Sequence, residues 1–472
     1  MHKIIVYIVC CVCLVGTAQN ITIKGKAHAS HIGKEIVLYD YSDYITYNKI
    51  KESVDTIDAN GYFELKLQSK ITKLVLLSID NLNSKLYVQP KFIYGIYYPE
   101  KNNSTYNNQT GTESFVNLTI YGNDSTELNA LTTDFNTQYN AFLIKSSQGY
   151  VSPTKINQTL DSFAVYSNKR YKAIKNSYFK HYVNYSFANF FSNTSRSKTL
   201  LYKQFLEHKP ILYHNYEYME FFNTQYTGYF KAFASTKTGG SIYNSINSFA
   251  DYQDLWNQFK TDKHITNDTL LELIVLKGLY ESYFSPDFEP TKVQSVIEQM
   301  QRITTIEEHQ LIASNILNTI HKLQPGANSP DFTAENKNGE VVSLSSFKGK
   351  YIYLNFFSLQ SENSLKEMSK IMDLKKKFND KVTFISVCLD DSSKIYKVYL
   401  KANPKFDWVI LHQTKNKQAQ RAFNLQGLSG FYFINQQLQL VQSPALAPSE
   451  GIEYKFNALF KAKKKNTIVG IR

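Results

Sequence analysis

The chain has 472 residues, of which 43% are hydrophobic, and a formal net charge of +13 at pH 7. That length and composition allow several hydrophobic cores, at roughly 150 residues per domain. The basic residues are spread along the chain, and the one run, Lys461-Ala462-Lys463-Lys464-Lys465, reads as a solvated helix end or tail rather than a site for acidic polymers or membrane headgroups. The 35 Tyr and 31 Phe are not interleaved with basic residues as a base-stacking surface requires, which argues against a nucleic-acid partner.

Residues 1–18 read as a signal peptide. His2 and Lys3 give a basic start, Ile4 to Val15 an apolar run too short to span a bilayer, and Gly16-Thr17-Ala18 the small residues that precede cleavage. A lipoprotein reading would acylate Cys13, but Cys10, Cys11 and Val12 ahead of it are not the small residues such a site favours. No later segment carries the ~20 uninterrupted apolar residues of a membrane span, so an integral membrane protein is not expected. Cleavage would remove three of the four cysteines, leaving Cys388, and one cysteine forms no internal disulfide.

Residues 19–122 alternate with period two between turn signals and predict a β-sandwich-like antiparallel domain. The expected strands are Ile21–Gly25, Glu35–Tyr39, Tyr62–Leu67 and Leu74–Ser78, with Asp58-Ala59-Asn60-Gly61 as a turn. Residues 123–323 shift to helical periodicity. Val293, Val296, Ile297, Met300 and Ile303 fall on one helical face, and Thr305 with Glu308 has the spacing of a capping box ahead of Ile312, Ile316 and Ile320. Glu217 to Phe222 reads as aromatic packing. His181, His208 and His214 lack the spacing of a metal site, so no metal is expected, and the sequons at Asn117, Asn184 and Asn267 are of a number that an Asn-rich chain produces by chance. Residues 324–472 alternate strand and helix, which predicts an α/β fold. The fold class is therefore multidomain α+β: a β domain, a helical middle and a C-terminal α/β domain.

The last segment contains Gly326-Ala327, Pro330-Asp331-Phe332, Asn338-Gly339-Glu340 and Phe347-Lys348-Gly349-Lys350 in order, then the strand Tyr351 to Phe357 and Ser361-Glu362-Asn363-Ser364. After these come Val382 to Asp390, Phe406-Asp407-Trp408 and Phe423 to Asn435. Over this stretch the chain resembles the TlpA/ResA-like branch of the thioredoxin superfamily. Residues 19–122 resemble the β domain that often precedes such modules in bacterial envelope proteins. The resemblance implies a location in the periplasm or at the outer membrane of a Gram-negative cell envelope.

It also implies two cysteines at positions 361 and 364 and a cis-proline at position 429, and this chain has Ser361, Ser364 and Ser429 there. In such enzymes a thiolate at a helix N-terminus attacks a disulfide. A hydroxyl cannot replace it: the helix start contributes about 0.3–1 kcal/mol, less than the ~1.4 kcal/mol of one pKa unit, and serine forms no disulfide. Serine is instead a preferred N-cap, which is the role expected for Ser361. A non-proline cis bond costs ~3 kcal/mol, so a trans bond is expected before Ser429. A serine hydrolase is disfavoured because His412 is the module's only histidine and no G-x-S-x-G elbow surrounds Ser361.

Glu367 matches the family's glutamate after the second cysteine and is read as an exposed helix charge rather than a relic of a polar pocket. Cys388, in an apolar strand, is read as a buried inert thiol rather than a redox sensor. These readings predict a non-catalytic protein with no cofactor and an envelope protein as partner, an outer-membrane complex among the candidates. The alternatives are a thiol-disulfide oxidoreductase of the TlpA/ResA type, or a related redox enzyme, working through Cys388, and a small-ligand or glycan binder using the aromatic helical region.

Overall fold

The computed structural model describes residues 19–469, apart from 81, 101–105, 108–113, 123, 147–152, 195, 237–238, 263, 391, 414–417, 424 and 426–428. The expected signal peptide, with Cys13, lies outside the described residues. So does Leu428, whose bond to Ser429 the sequence expects to be trans.

The N-terminal strands are β1 (Gln19–Ala27), β2 (Glu35–Tyr41), β3 (Lys49–Thr56), β4 (Tyr62–Ser69), β5 (Lys73–Ile79), β6 (Leu82–Val88), β7 (Ile93–Tyr98), β8 (Tyr106–Asn107), β9 (Ser114–Phe115) and β10 (Thr119–Tyr121). They form two sheets, ordered β10-β7-β1-β4 and β3-β2-β5-β6-β9-β8. Alternation sets which face is buried: β4 places Phe63, Leu65 and Leu67 inward, opposite Gly25, Ile23 and Ile21 of the antiparallel β1. Gly25 is required by that register, since a Cβ there would lie 2.1 Å from the Phe63 ring. The sheets are antiparallel for the most part, with β1 also running parallel to β7. The residues of β5 after Lys73 are buried on both faces, so its pattern is a continuous apolar run rather than an alternation.

The middle region contains α1 (Leu128–Ser146), α2 (Pro153–Arg170), α3 (Ser177–Ser192), α4 (Lys198–Phe205), α5 (Tyr216–Tyr226), α6 (Tyr229–Ala234), α7 (Ile242–Asn244), α8 (Tyr252–Phe259), α9 (Asp268–Tyr283), α10 (Pro290–Ile303) and α11 (Glu307–Lys322). Its core is unusually aromatic and extends into the β region, taking in Tyr44 and Ile45 and packing against Tyr87. On α10 the stripe Val293, Val296, Ile297 and Met300 is fully buried, but Ile303 is 54% exposed. It is the last residue of the helix, where the chain leaves the core through Thr304. The expected capping box is also absent: α11 has Ile306 as N-cap without a side-chain bond, and the Ile306 N–H is taken by the Thr304 hydroxyl at 3.2 Å. The helix starts one residue later than a Thr305 cap requires, which puts His309 rather than Glu308 at the third position.

The C-terminal domain contains β11 (Thr333–Glu335), β12 (Val341–Ser343), β13 (Tyr351–Phe357), α12 (Glu362–Phe378), β14 (Val382–Cys388), α13 (Ser393–Ala402), β15 (Val409–Gln413), α14 (Gln418–Ala422), β16 (Gly430–Ile434), β17 (Leu440–Gln442) and α15 (Ile452–Val469). Its sheet runs β12-β11-β15-β14-β13-β16-β17. β14 is parallel to both β13 and β15, and β16 is antiparallel to β13. Ile352, Leu354 and Phe356 of β13 face one core and Tyr353 and Phe357 the other, as a central strand of a covered sheet must. Phe284, just past α9, packs against both the helical core and this domain's core.

Candidate functional site

The carboxyl end of β13 leads directly into α12, and that junction holds the residues singled out by sequence. Ser361 is the N-cap of α12, with φ −108° and ψ 109°, and its hydroxyl accepts the Ser364 N–H at 3.3 Å. Ser364 is 4% exposed, in the first turn. The preceding loop is tied to the end of β14 by Asp390, whose carboxylate accepts the Ser358 hydroxyl at 3.1 Å and the Leu359 N–H at 2.7 Å.

Cys388 donates its S–H to that same carboxylate at 3.3 Å and is fully buried. Burial, with the adjacent Asp390 carboxylate, drives its thiol pKa far above the usual range, which disfavours the thiolate that disulfide attack needs. His412 is equally unsuited as a base for Ser361. It is buried, Nε2 contacts the Asp390 backbone carbonyl at 2.7 Å, and its ring stacks on Tyr396.

Glu367 is not the exposed helix charge that the sequence suggests. Its side chain is 15% exposed, accepting the Ser449 N–H at 3.0 Å and the Lys370 ammonium at 3.2 Å. A backbone donor 82 residues away in sequence cannot be read from a helical pattern. Asp407 pairs with Lys375 at 2.7 Å, and the Trp408 indole donates to the Ser386 hydroxyl at 2.8 Å. Ser386 in turn donates to Asn355, which gives a buried polar relay behind the site that sequence reasoning missed.

A cleft of about 1130 Å³ opens in front of α12. One wall holds Asn363, Ser364 and Glu367 of α12, with Ser429 and Phe431 at the start of β16; the other is the segment from Tyr283 to Thr291 between α9 and α10. Ser443 also lines it, 3% exposed, and its hydroxyl has no hydrogen-bond partner. The cleft thus brings together Ser364, Glu367 and Ser429 of the sequence-predicted residues. Ser361 caps the helix beside it, and Cys388 does not line it.

A second polar cluster lies in the helical region, where His309 bridges Tyr213 at 2.8 Å and Glu272 at 3.1 Å. His309 is 0% exposed, so the cluster clips α9, α11 and the loop before α5 together. Among the described residues no group of three or more His, Cys, Asp or Glu is placed to hold a metal ion, and no helix is long and apolar enough to cross a membrane.

Residues 325–443 match the AhpC/TSA family. The C-terminal domain is an AhpC/TSA-type thioredoxin-like domain whose homologues are TlpA/ResA-like thiol-disulfide oxidoreductases. The chain is 32% identical over 75 residues to thioredoxin-like protein YneN of Bacillus subtilis, a match covering 16% of this chain and 44% of that protein's length. It is 24% identical over 140 residues to the thiol-disulfide oxidoreductase ResA of the same organism, covering 29% of this chain and 77% of that one. Among solved structures, a thioredoxin-like protein from Bacteroides caccae aligns with a TM-score of 0.34 at 15% identity, covering 54% of this chain and 91% of that one.

Proposed function

We propose that this protein is an exported cell-envelope protein whose thioredoxin-like domain is catalytically degenerate and serves as an interaction or assembly surface. The observation that carries the reading is the chemistry at the start of α12. The first turn presents the hydroxyls of Ser361 and Ser364, and the free described cysteine, Cys388, is buried with its thiol held protonated. Thiol-disulfide exchange requires an accessible thiolate and a second sulfur to resolve the mixed disulfide. Ser361 accordingly serves as the helix cap, Ser364 and Ser429 as cleft wall and Glu367 as an anchor for the Ser449 backbone. The alternative, a thiol-disulfide oxidoreductase working through Cys388, rests on the names of the relatives.

Insulin reduction and peroxide consumption by the purified chain, with Cys388→Ser alongside, separate the two. The expected result is no turnover above background in either protein, together with a stable partner recovered by in-cell crosslinking of the tagged chain. Turnover that Cys388→Ser abolishes overturns the reading.

A further inference from the structure

The cleft in front of α12 has a lining that selects for a particular ligand chemistry. We propose that it is a binding site for a neutral oligosaccharide, held between the thioredoxin-like domain and the segment from Tyr283 to Thr291. The inference rests on the non-catalytic reading of the site, since a working disulfide reductase would keep this face for polypeptide substrates.

Charge does not select the occupant. Three acids, Glu289, Glu367 and Glu450, balance three lysines, Lys366, Lys370 and Lys455. Most of these are already engaged: Lys366 with Glu362 at 2.8 Å, Lys370 with Glu367 at 3.2 Å, and Glu450 with the Ala447 N–H at 2.7 Å. Size argues for a ligand of several rings, because about 1130 Å³ exceeds the ~300–1,000 Å³ typical of small-molecule pockets.

The remaining surface pairs aromatic faces with hydroxyls and carboxamides. Phe284 from the helical region and Phe431 from β16 are both half-buried in the cleft wall. Asn363, Gln442 and Ser443 supply polar groups, and the Ser443 hydroxyl is buried without a partner. A buried hydroxyl left unpaired destabilises the site, and a hydrogen bond from a ligand would relieve it. A sugar ring offers what such a wall takes: a face of C–H groups for an aromatic ring and a rim of hydroxyls for serine and carboxamide partners.

An extended polypeptide would instead add to a strand edge, and that of β16 is largely closed. It pairs with β13 on one side and β17 on the other, and the Phe431 carbonyl already accepts the Ala445 N–H at 2.7 Å.

The test is isothermal titration of the full chain with two neutral probes, the tetramer of N-acetylglucosamine and maltotetraose, beside a pool of neutral, serine- and tyrosine-rich peptides. One of the sugars is expected to bind with Kd between about 10 μM and 1 mM. Phe284→Ala and Phe431→Ala should each weaken it at least ~10-fold and Ser443→Ala ~3-fold or more, in proportion to the stacking face or hydroxyl removed. Asn363→Ala, at an exposed position that does not threaten the fold, should also weaken it measurably. Absence of sugar binding, sugar binding indifferent to all four variants, or saturation by the peptides alone each overturns the proposal. Those results leave the non-catalytic reading standing, which fails only on turnover through Cys388.

Discussion

At the scale of single residues, Glu217 carries a large energetic consequence, although the sequence presented it only as part of an aromatic stretch. Its carboxyl is buried against the β region, accepting the Tyr87 hydroxyl, and its other oxygen has no partner. Burial raises its pKa from 4.5 to about 7, with Glu220 adding to the rise while the Tyr87 hydrogen bond and Lys85 oppose it. A raised carboxyl pKa means that the folded state prefers the protonated form. The protein is therefore most favoured below the unfolded value, loses stability as pH climbs from 4.5 to about 7, and changes no further above that for this group. At ~1.4 kcal/mol per pKa unit the full loss is about 3 kcal/mol. Glu217→Gln should thus be more stable than the parent by about 2–3 kcal/mol at pH 8 and near parity at pH 4, as measured by urea unfolding. An advantage that stays constant across that range would show that Glu217 does not titrate there.

At the scale of elements, α12 was the most legible part of the chain and the cleft in front of it the least. The order of apolar strand, Ser361, then amphipathic helix is written locally, and Ser361 caps the helix as its position suggests. Local signals fail where a tertiary contact decides. The α11 cap is displaced by one residue, Glu367 is drawn inward by the Ser449 backbone, and the second wall of the cleft comes from a loop about 80 residues upstream. None of these has a period or spacing to read. The same local simplicity makes α12 a good place for a test. Ser361→Ala removes the N-cap bond and should cost about 1 kcal/mol in thermal or urea unfolding. Replacing both Ser361 and Ser364 by Cys puts two thiols in the first turn, where unpaired N–H groups lower thiol pKa values. The double variant should then react with a thiol-specific probe well below pH 8.5 and gain insulin-reductase activity that the parent lacks. A double variant with ordinary thiol reactivity would mean that this helix start has lost its electrostatic bias along with its cysteines.

At the scale of the whole molecule, the β and helical regions are joined by buried polar contacts that cross from one to the other. Asp43, between β2 and β3, accepts the Asn315 side-chain N–H of α11 at 2.8 Å as well as the Ile45 N–H at 2.7 Å. Asn129 of α1 brackets the backbone of Tyr87 in β6 with two bonds, at 2.9 and 2.8 Å, and Tyr47 donates to Glu220 of α5. A partner removed from such a pair leaves the other, still buried group with one hydrogen bond fewer, a penalty of about 1–3 kcal/mol. Asp43 is the sensitive case, because burial already pushes its carboxyl pKa up against the hydrogen bonds from Thr46, Asn315 and Ile45 that hold it down. Asn315→Ala should therefore destabilise by about 2 kcal/mol, and the effect should be shared. In hydrogen exchange, amides of β2, β5 and β6 and those of α5, α9 and α11 should lose protection together, because opening one region exposes the orphaned groups of the other. Amides of β13 and β14 should keep theirs, since those strands are stabilised by cores built mainly from residues 323–472, with Phe284 packed against one of them, rather than by the junction at Asp43. Loss of protection confined to the β2–β3 loop would mean that the two regions are separately stable units, and equal loss throughout the chain would mean that the thioredoxin-like domain is part of the same cooperative block.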